Sequence, residues 1–232
     1  VDTFAKSLDD YPSTYNFHES RDYVDYTDDI YVGYRYFETI PDAAEKVVYP
    51  FGYGLSYTTF DVEIVSAGIV NCNCTSSTTA AASADADIDI KAGKLYAKVR
   101  VTNIGKASGK EVVQVYVAKP QGKLGKPAKE LVAFEKTREL QPGESQLMTL
   151  TWKINDMASY DDLGKVQKSA YVLEAGSYDI YVGTNVRDVT KADYSYILNH
   201  DVITEQLSAK LVPTSLPKRM LADGSYEDLP QG

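Results

Sequence analysis

In 232 residues the chain holds two histidines, His18 and His200, two cysteines, Cys72 and Cys74, and one tryptophan, Trp152. Each scarcity closes off a class of chemistry. Without Cys-x-x-Cys and with so few histidines there is no ligand set for zinc, no Gly-x-Ser-x-Gly elbow presents a serine nucleophile, and no glycine-rich loop is built to cradle phosphate. No apolar run approaches the ~20 residues of a membrane-spanning helix, and Val1-Asp2-Thr3-Phe4-Ala5-Lys6 lacks the basic-then-apolar order of a signal peptide. Lysine and arginine number 24 against 33 acidic residues, a net charge of -9, so the basic footprint that nucleic acid or an anionic membrane requires is missing. A neutral ligand such as a sugar or an oligosaccharide stays compatible. Nothing in the sequence calls for a cofactor.

The cysteines stand one residue apart, too close for an unstrained disulfide. This points to a reducing, cytoplasmic setting, with secretion only if a signal peptide lies outside this chain. Asn73-Cys74-Thr75 fits the N-glycosylation tripeptide, which has meaning only in a secreted protein. Asp85, Asp87 and Asp89 alternate as calcium ligands can, but the run lacks the loop glycine and the bidentate glutamate of an EF-hand, so solvation explains it better.

What is abundant is tyrosine, 19 of them, with 15 glycines, a leaning toward strands and tight turns. From Tyr57 the apolar residues recur with period two. Phe60, Val62 and Ile64 oppose Asp61 and Glu63; Leu95, Ala97, Val99 and Val101 alternate with Tyr96, Lys98 and Arg100; Met148, Leu150 and Trp152 alternate with threonines. Val112 to Val117 reads as a strand buried on both faces, and Leu131 to Phe134 as a further one. Tyr171 to Leu173 and Tyr178 to Gly183 read as a hairpin, and Tyr194 to Leu198 as the last strand. Short strands separated by turns, with no amphipathic helix between them, predict a mainly β, antiparallel immunoglobulin-like or fibronectin type III-like sandwich over residues 57–200, with 71–93 as a mobile insert. Trp152 is expected in its core.

Residues 1–56 differ in kind. Loops such as Asp25-Tyr26-Thr27-Asp28-Asp29 surround one apolar run, Ile30 to Phe37, which reads as a lone buried strand; the segment then ends in the turn Tyr49-Pro50-Phe51-Gly52-Tyr53-Gly54. Its aromatics fit core or interface packing better than a platform for stacked sugars. Beyond His200 the pattern dissolves, and residues 201–232 read as an extended linker or tail.

Tyr49 to Phe60, together with Asp28 to Thr39, Lys98 to Asn103, Gly109 to Val117, Lys129-Glu130-Leu131 and Gly176 to Gly183, resembles glycoside hydrolase family three β-glucosidases. The likeness is to the point where their α/β sandwich domain leads into a fibronectin type III-like domain. The resemblance implies that residues 1–56 are the trailing arm of the α/β domain. It also implies that the whole enzyme hydrolyses O-glycosyl bonds at the non-reducing end of β-glucosides with retention, and that the remaining domains are this chain's partners. In some bacterial members the barrel domain follows the fibronectin-like module, and the tail from Asp223 to Pro230 reads as an approach to it. The nucleophilic Asp and the acid/base Glu of the family belong to other domains, and neither motif occurs here, so no catalytic residue is named; metal and cofactor-binding residues are likewise none. Two readings of the chain follow: a domain-bracing, non-catalytic module, or a carbohydrate-binding module whose tyrosines, Tyr96, Tyr116 and Tyr181, form an exposed strip.

Overall fold

A computed structural model describes residues 2–18, 20–70, 90, 92–209 and 215–230. The readings of Cys72, Asn73, Cys74, Asp85, Asp87 and Asp89, of most of the insert, and of part of the tail lie outside the described residues. Fourteen strands are present among the described residues. In the first segment are β1 (Phe4–Ala5), the one-turn helix α1 (Tyr34–Phe37) and β2 (Val47–Tyr49). Then come β3 (Phe60–Ile69), β4 (Lys94–Asn103), β5 (Val112–Ala118), β6 (Glu130–Lys136) and β7 (Ser145–Lys153). They are followed by β8 (Ser159–Asp161), β9 (Ala170–Leu173), β10 (Gly176–Gly183), β11 (Val189–Leu198), β12 (Val202–Gln206), β13 (Lys218–Met220) and β14 (Tyr226–Asp228).

Two antiparallel sheets, β3-β4-β7 and β11-β10-β5-β6, face each other as a sandwich. The core between them follows from period two, because alternate side chains of a strand share a face. Leu95, Ala97, Val99 and Val101 of β4 meet Val113, Val115 and Val117 of β5, with Met148, Leu150 and Trp152 of β7 beside them. Each fully buried aliphatic side chain contributes about 1.5–3 kcal/mol of transfer free energy, so this layer dominates the fold's stability. Trp152 is core, as its place in the alternation predicts.

Tyr171 to Gly183 is not a hairpin. β9 pairs with β8 and β12 in a third, small sheet, whereas β10 pairs with β5 and β11. The chain therefore changes sheet between Leu173 and Gly176, and Tyr178 pins the corner by donating from its hydroxyl to the Glu174 carbonyl at 2.8 Å. Such a tyrosine corner is a recurring device of immunoglobulin-like sandwiches. Gly176 is required there: its φ is +138°, and a Cβ would come 2.5 Å from Pro120.

The other departures concern the ends. Ile30 to Phe37 is not a strand, since Gly33 at φ +57° breaks the extended chain and Phe37 donates its N–H to the Gly33 carbonyl at 3.1 Å, closing one helical turn. An apolar run without alternation reports burial, and burial is what Tyr31 and Phe37 show. Nor is the region past His200 simply extended. β12 adds to β9, and β13 and β14 form a hairpin that folds back on the first segment through Met220 N–H to the Thr27 carbonyl at 2.8 Å.

Candidate functional site

The feature most marked by specific contacts is the seam where the arm, residues 1–56, sits on the β11-β10-β5-β6 sheet. Gln114 and Tyr116 of β5 point away from the core into this seam, which is why β5 is buried on both faces. The Tyr34 ring stacks on Phe51 at 4.5 Å between centroids and meets Tyr116 edge-on at 6.2 Å. Its hydroxyl accepts from Leu131 N–H at 3.0 Å, and Ala128 N–H donates to Thr39 Oγ1 at 2.8 Å. Gln114 donates to the Thr184 and Gly52 carbonyls and accepts from the Tyr116 hydroxyl at 2.6 Å. Of the two turn glycines only Gly52 has a positive φ, +84°, and a Cβ there would lie 2.2 Å from Gln114; Gly54 faces open space.

Charge closes the seam's rim. Arg187 grips Glu38 from Nε at 2.8 and 3.1 Å and donates to the Ala44 carbonyl at 2.9 Å. Arg35 of the arm reaches Glu130 at 3.2 Å, and the same carboxylate holds Lys119. Burial pulls the Lys119 ammonium below its ordinary range, and Glu130 only partly restores it. Burial likewise pushes the phenols of Tyr116 and Tyr178 well above theirs, so both stay protonated hydrogen-bond donors.

The three tyrosines singled out in the sequence do not form an exposed strip. Tyr116 is fully buried under Tyr34, while Tyr96 and Tyr181 are half-buried on different sheets, the latter with Lys129 Nζ 5.6 Å from its ring centroid. Three groups escaped the sequence reading. In the lysine-rich stretch 121–129, Lys126 is buried against Glu174, which also accepts from Lys123 and Leu124 N–H at 2.6 and 3.1 Å. Asp161 accepts from four consecutive backbone N–H groups, Gly164 to Gln167, at 2.7 to 3.0 Å. Arg219 sits among Asp162, Glu227 and Asp29. Of these only Asp161, with its partners three to six residues on, left any local signal, as an Asp before a glycine. Among the described residues no cluster of three or more His, Cys, Asp or Glu is placed to hold a metal ion, and no helix is long and apolar enough to cross a membrane.

Residues 111–186 match the family described as fibronectin type III-like domain. The chain is 61% identical over 99% of its length to β-glucosidase A of Butyrivibrio fibrisolvens, of which it covers 27%, and 43% identical to a β-glucosidase of Ruminococcus albus, of which it covers 22%. The whole chain superposes on a crystal structure of a β-glucosidase from Paenibacillus barengoltzii with a TM-score of 0.81 and 43% identity, covering 24% of that chain. Residues 111–186 are a fibronectin type III-like domain, and the chain around them is similar to part of these β-glucosidases. The chain spans about a quarter of the length of the β-glucosidases it matches.

Against that background the solvent-exposed side chains of the arm are informative. Large apolar side chains stand in solvent along it: Leu8 and Tyr26 are each 79% exposed, Leu55 90% and, just past its end, Tyr57 101%, with Phe4, Phe17, Tyr23 and Val32 all at least half exposed. Single exposed apolar residues are ordinary on any protein, but this density on one short segment marks a surface made to be covered.

Proposed function

We propose that this chain is the non-catalytic, domain-bracing portion of a β-glucosidase-type glycoside hydrolase. In this reading residues 1–56 are the trailing arm of an α/β sandwich domain, residues 57–200 the fibronectin type III-like sandwich, and residues 201–232 the lead toward a further part of the enzyme. The whole enzyme hydrolyses O-glycosyl bonds at the non-reducing end of β-glucosides with retention, and it does so in the cytoplasm. One observation carries the reading: the arm is fastened to the sandwich by a seam of specific contacts and yet leaves large apolar side chains, among them Leu8, Tyr26 and Leu55, exposed to solvent, with Tyr57 just beyond. A seam of this kind transmits position, and an uncovered apolar surface needs a partner, which here is the remainder of the enzyme.

The competing reading, a glycan-binding strip of tyrosines, loses support because Tyr116 is spent on the seam. The experiment is direct. The purified chain is expected to leave aryl β-glucosides intact, while the full-length parent turns them over. Replacing Leu55 and Tyr57 by serine in that parent should lower its thermal midpoint and leave the isolated chain's midpoint unchanged. Turnover by the isolated chain, abolished by a single Asp or Glu substitution within it, would overturn the proposal.

A further inference from the structure

The arm, the 119–130 loop, β8 and the β13-β14 hairpin surround a cleft of about 350 Å³, a volume within the range of small-molecule sites. Its charges are already matched. Arg219 donates to Asp162 at 2.8 Å and Glu227 at 2.7 Å, Lys165 reaches Glu227 at 3.1 Å, and Lys119 is held by Glu130. An ionic ligand would have to compete for one of these partners and leave the other uncompensated in a partly dry wall. A neutral ligand would not. Paired carboxylates keep lone pairs free to accept from hydroxyl groups, and such charge-assisted hydrogen bonds are stronger than neutral ones.

Between the charged groups the wall is apolar, with Ile30, Leu124, Pro127 and Met220, and the Tyr160 ring stands partly exposed at its edge. One polar group there lacks any partner. Tyr31 is 1% exposed and lines the cleft, yet its hydroxyl makes no hydrogen bond within the protein. Buried hydroxyls are ordinarily satisfied, so this one has its hydrogen-bonding capacity left over for a ligand at the cleft wall. Gly125 adds no side chain over it: a Cβ at that position would lie 3.0 Å from Tyr31 Oη. Burial raises the phenol to about 12, so the group is a protonated donor and acceptor at neutral pH.

We propose that this cleft binds a neutral saccharide, whose ring hydroxyls meet Tyr31 Oη and the paired carboxylates while its C–H faces lie on the apolar wall and Tyr160. The inference does not rest on the bracing role, so its failure would leave that role standing.

The test is titration of the 232-residue chain with cellobiose, with maltose and, as a charged counterpart, with glucose 6-phosphate, followed by two-dimensional amide NMR. Saturable shifts are expected at residues 29–31, 124–127, 159–162 and 219–221 with at least one neutral disaccharide, and weaker ones with the phosphate. Tyr31→Phe should weaken binding about three- to tenfold, the effect of one lost hydrogen bond, with the thermal midpoint unchanged because no protein contact is removed. Tyr160→Ala, at the exposed edge, should weaken it as well without threatening the fold. No saturation by either disaccharide, tighter binding of the phosphate, or affinity untouched by both substitutions would each overturn the proposal.

Discussion

The sandwich, residues 60–198, and the arm, residues 1–56, carry similar kinds of apolar side chain and use them differently. In the sandwich, alternation puts Val, Leu and Trp on one face of each strand, and a second sheet covers that face, so the apolar surface closes on itself. Among its described residues the arm has few in strands and no sheet of its own beyond the β1-β2 pair. It buries Tyr31 and Phe37, borrows Tyr116 and Gln114 from the sheet beneath, and leaves Leu55 and the adjoining Tyr57 in water. The difference teaches that regular backbone pairing lets a segment be self-sufficient, whereas a segment held by side chains is stable only on a support.

Six substitutions sharpen this contrast or break it, beginning with the largest effect. Trp152→Ala empties the centre of the sandwich and should cost about 3–5 kcal/mol by denaturant unfolding, with the arm released in the same transition. Glu174→Ala strands the buried Lys126 ammonium and frees two backbone donors, for a loss of similar size, about 3–5 kcal/mol. Lys126→Met should cost less, because Lys123 and Leu124 N–H still satisfy the carboxylate.

Asp161 offers a test by pH. Burial works to raise its carboxyl, but the four N–H donors outweigh burial and hold it below the ordinary carboxylate range. A depressed folded value means stability that is present above the unfolded value, about pH 4, and lost as pH falls through the folded one. Asp161→Asn should therefore destabilise by about 1–3 kcal/mol at neutral pH, and the gap to the parent chain should close in acid. A constant gap at every pH would mean that the charge contributes nothing.

Tyr34→Ala separates the two regions. Amide exchange in residues 31–52 should quicken by about tenfold, the loss of an aromatic pair and one hydrogen bond. Strands β4 and β5 should keep their protection; equal loosening of both would show that arm and sandwich form one cooperative unit. The smallest effect belongs to Arg100 and Glu63, an exposed pair at 2.6 Å across β3 and β4. Arg100→Ala should change stability by less than about 1 kcal/mol and respond to salt.

How much of this was legible beforehand depends on the distance between partners. The strands of the sandwich, the burial of β5 on both faces and the position of Trp152 follow from periodicity, which needs only neighbours two residues apart. The apolar run Ile30 to Phe37 was read as a buried strand; Tyr31 and Phe37 are buried, but Val32 is exposed and the run is not extended, a difference hidden because Gly33 could serve either a bend or a strand irregularity. Tyr178 gave no sign of being a corner, because its partner carbonyl matters only once β9 and β10 are assigned to different sheets. Lys126 looked like any surface lysine, as its carboxylate is 48 residues away.

By itself, then, the sequence determined the class of fold, the inward face of each long strand and the turn at Gly52, because these rest on side-chain alternation and on backbone angles that few residues tolerate. Only the tertiary structure decided that Tyr116 serves the seam rather than the solvent, that the ends of the chain meet through Thr27 and Met220, and that Tyr31 faces a cleft with its hydroxyl unmet. Those outcomes depend on which surfaces remain uncovered after the sheets have paired, and no local pattern encodes a remainder.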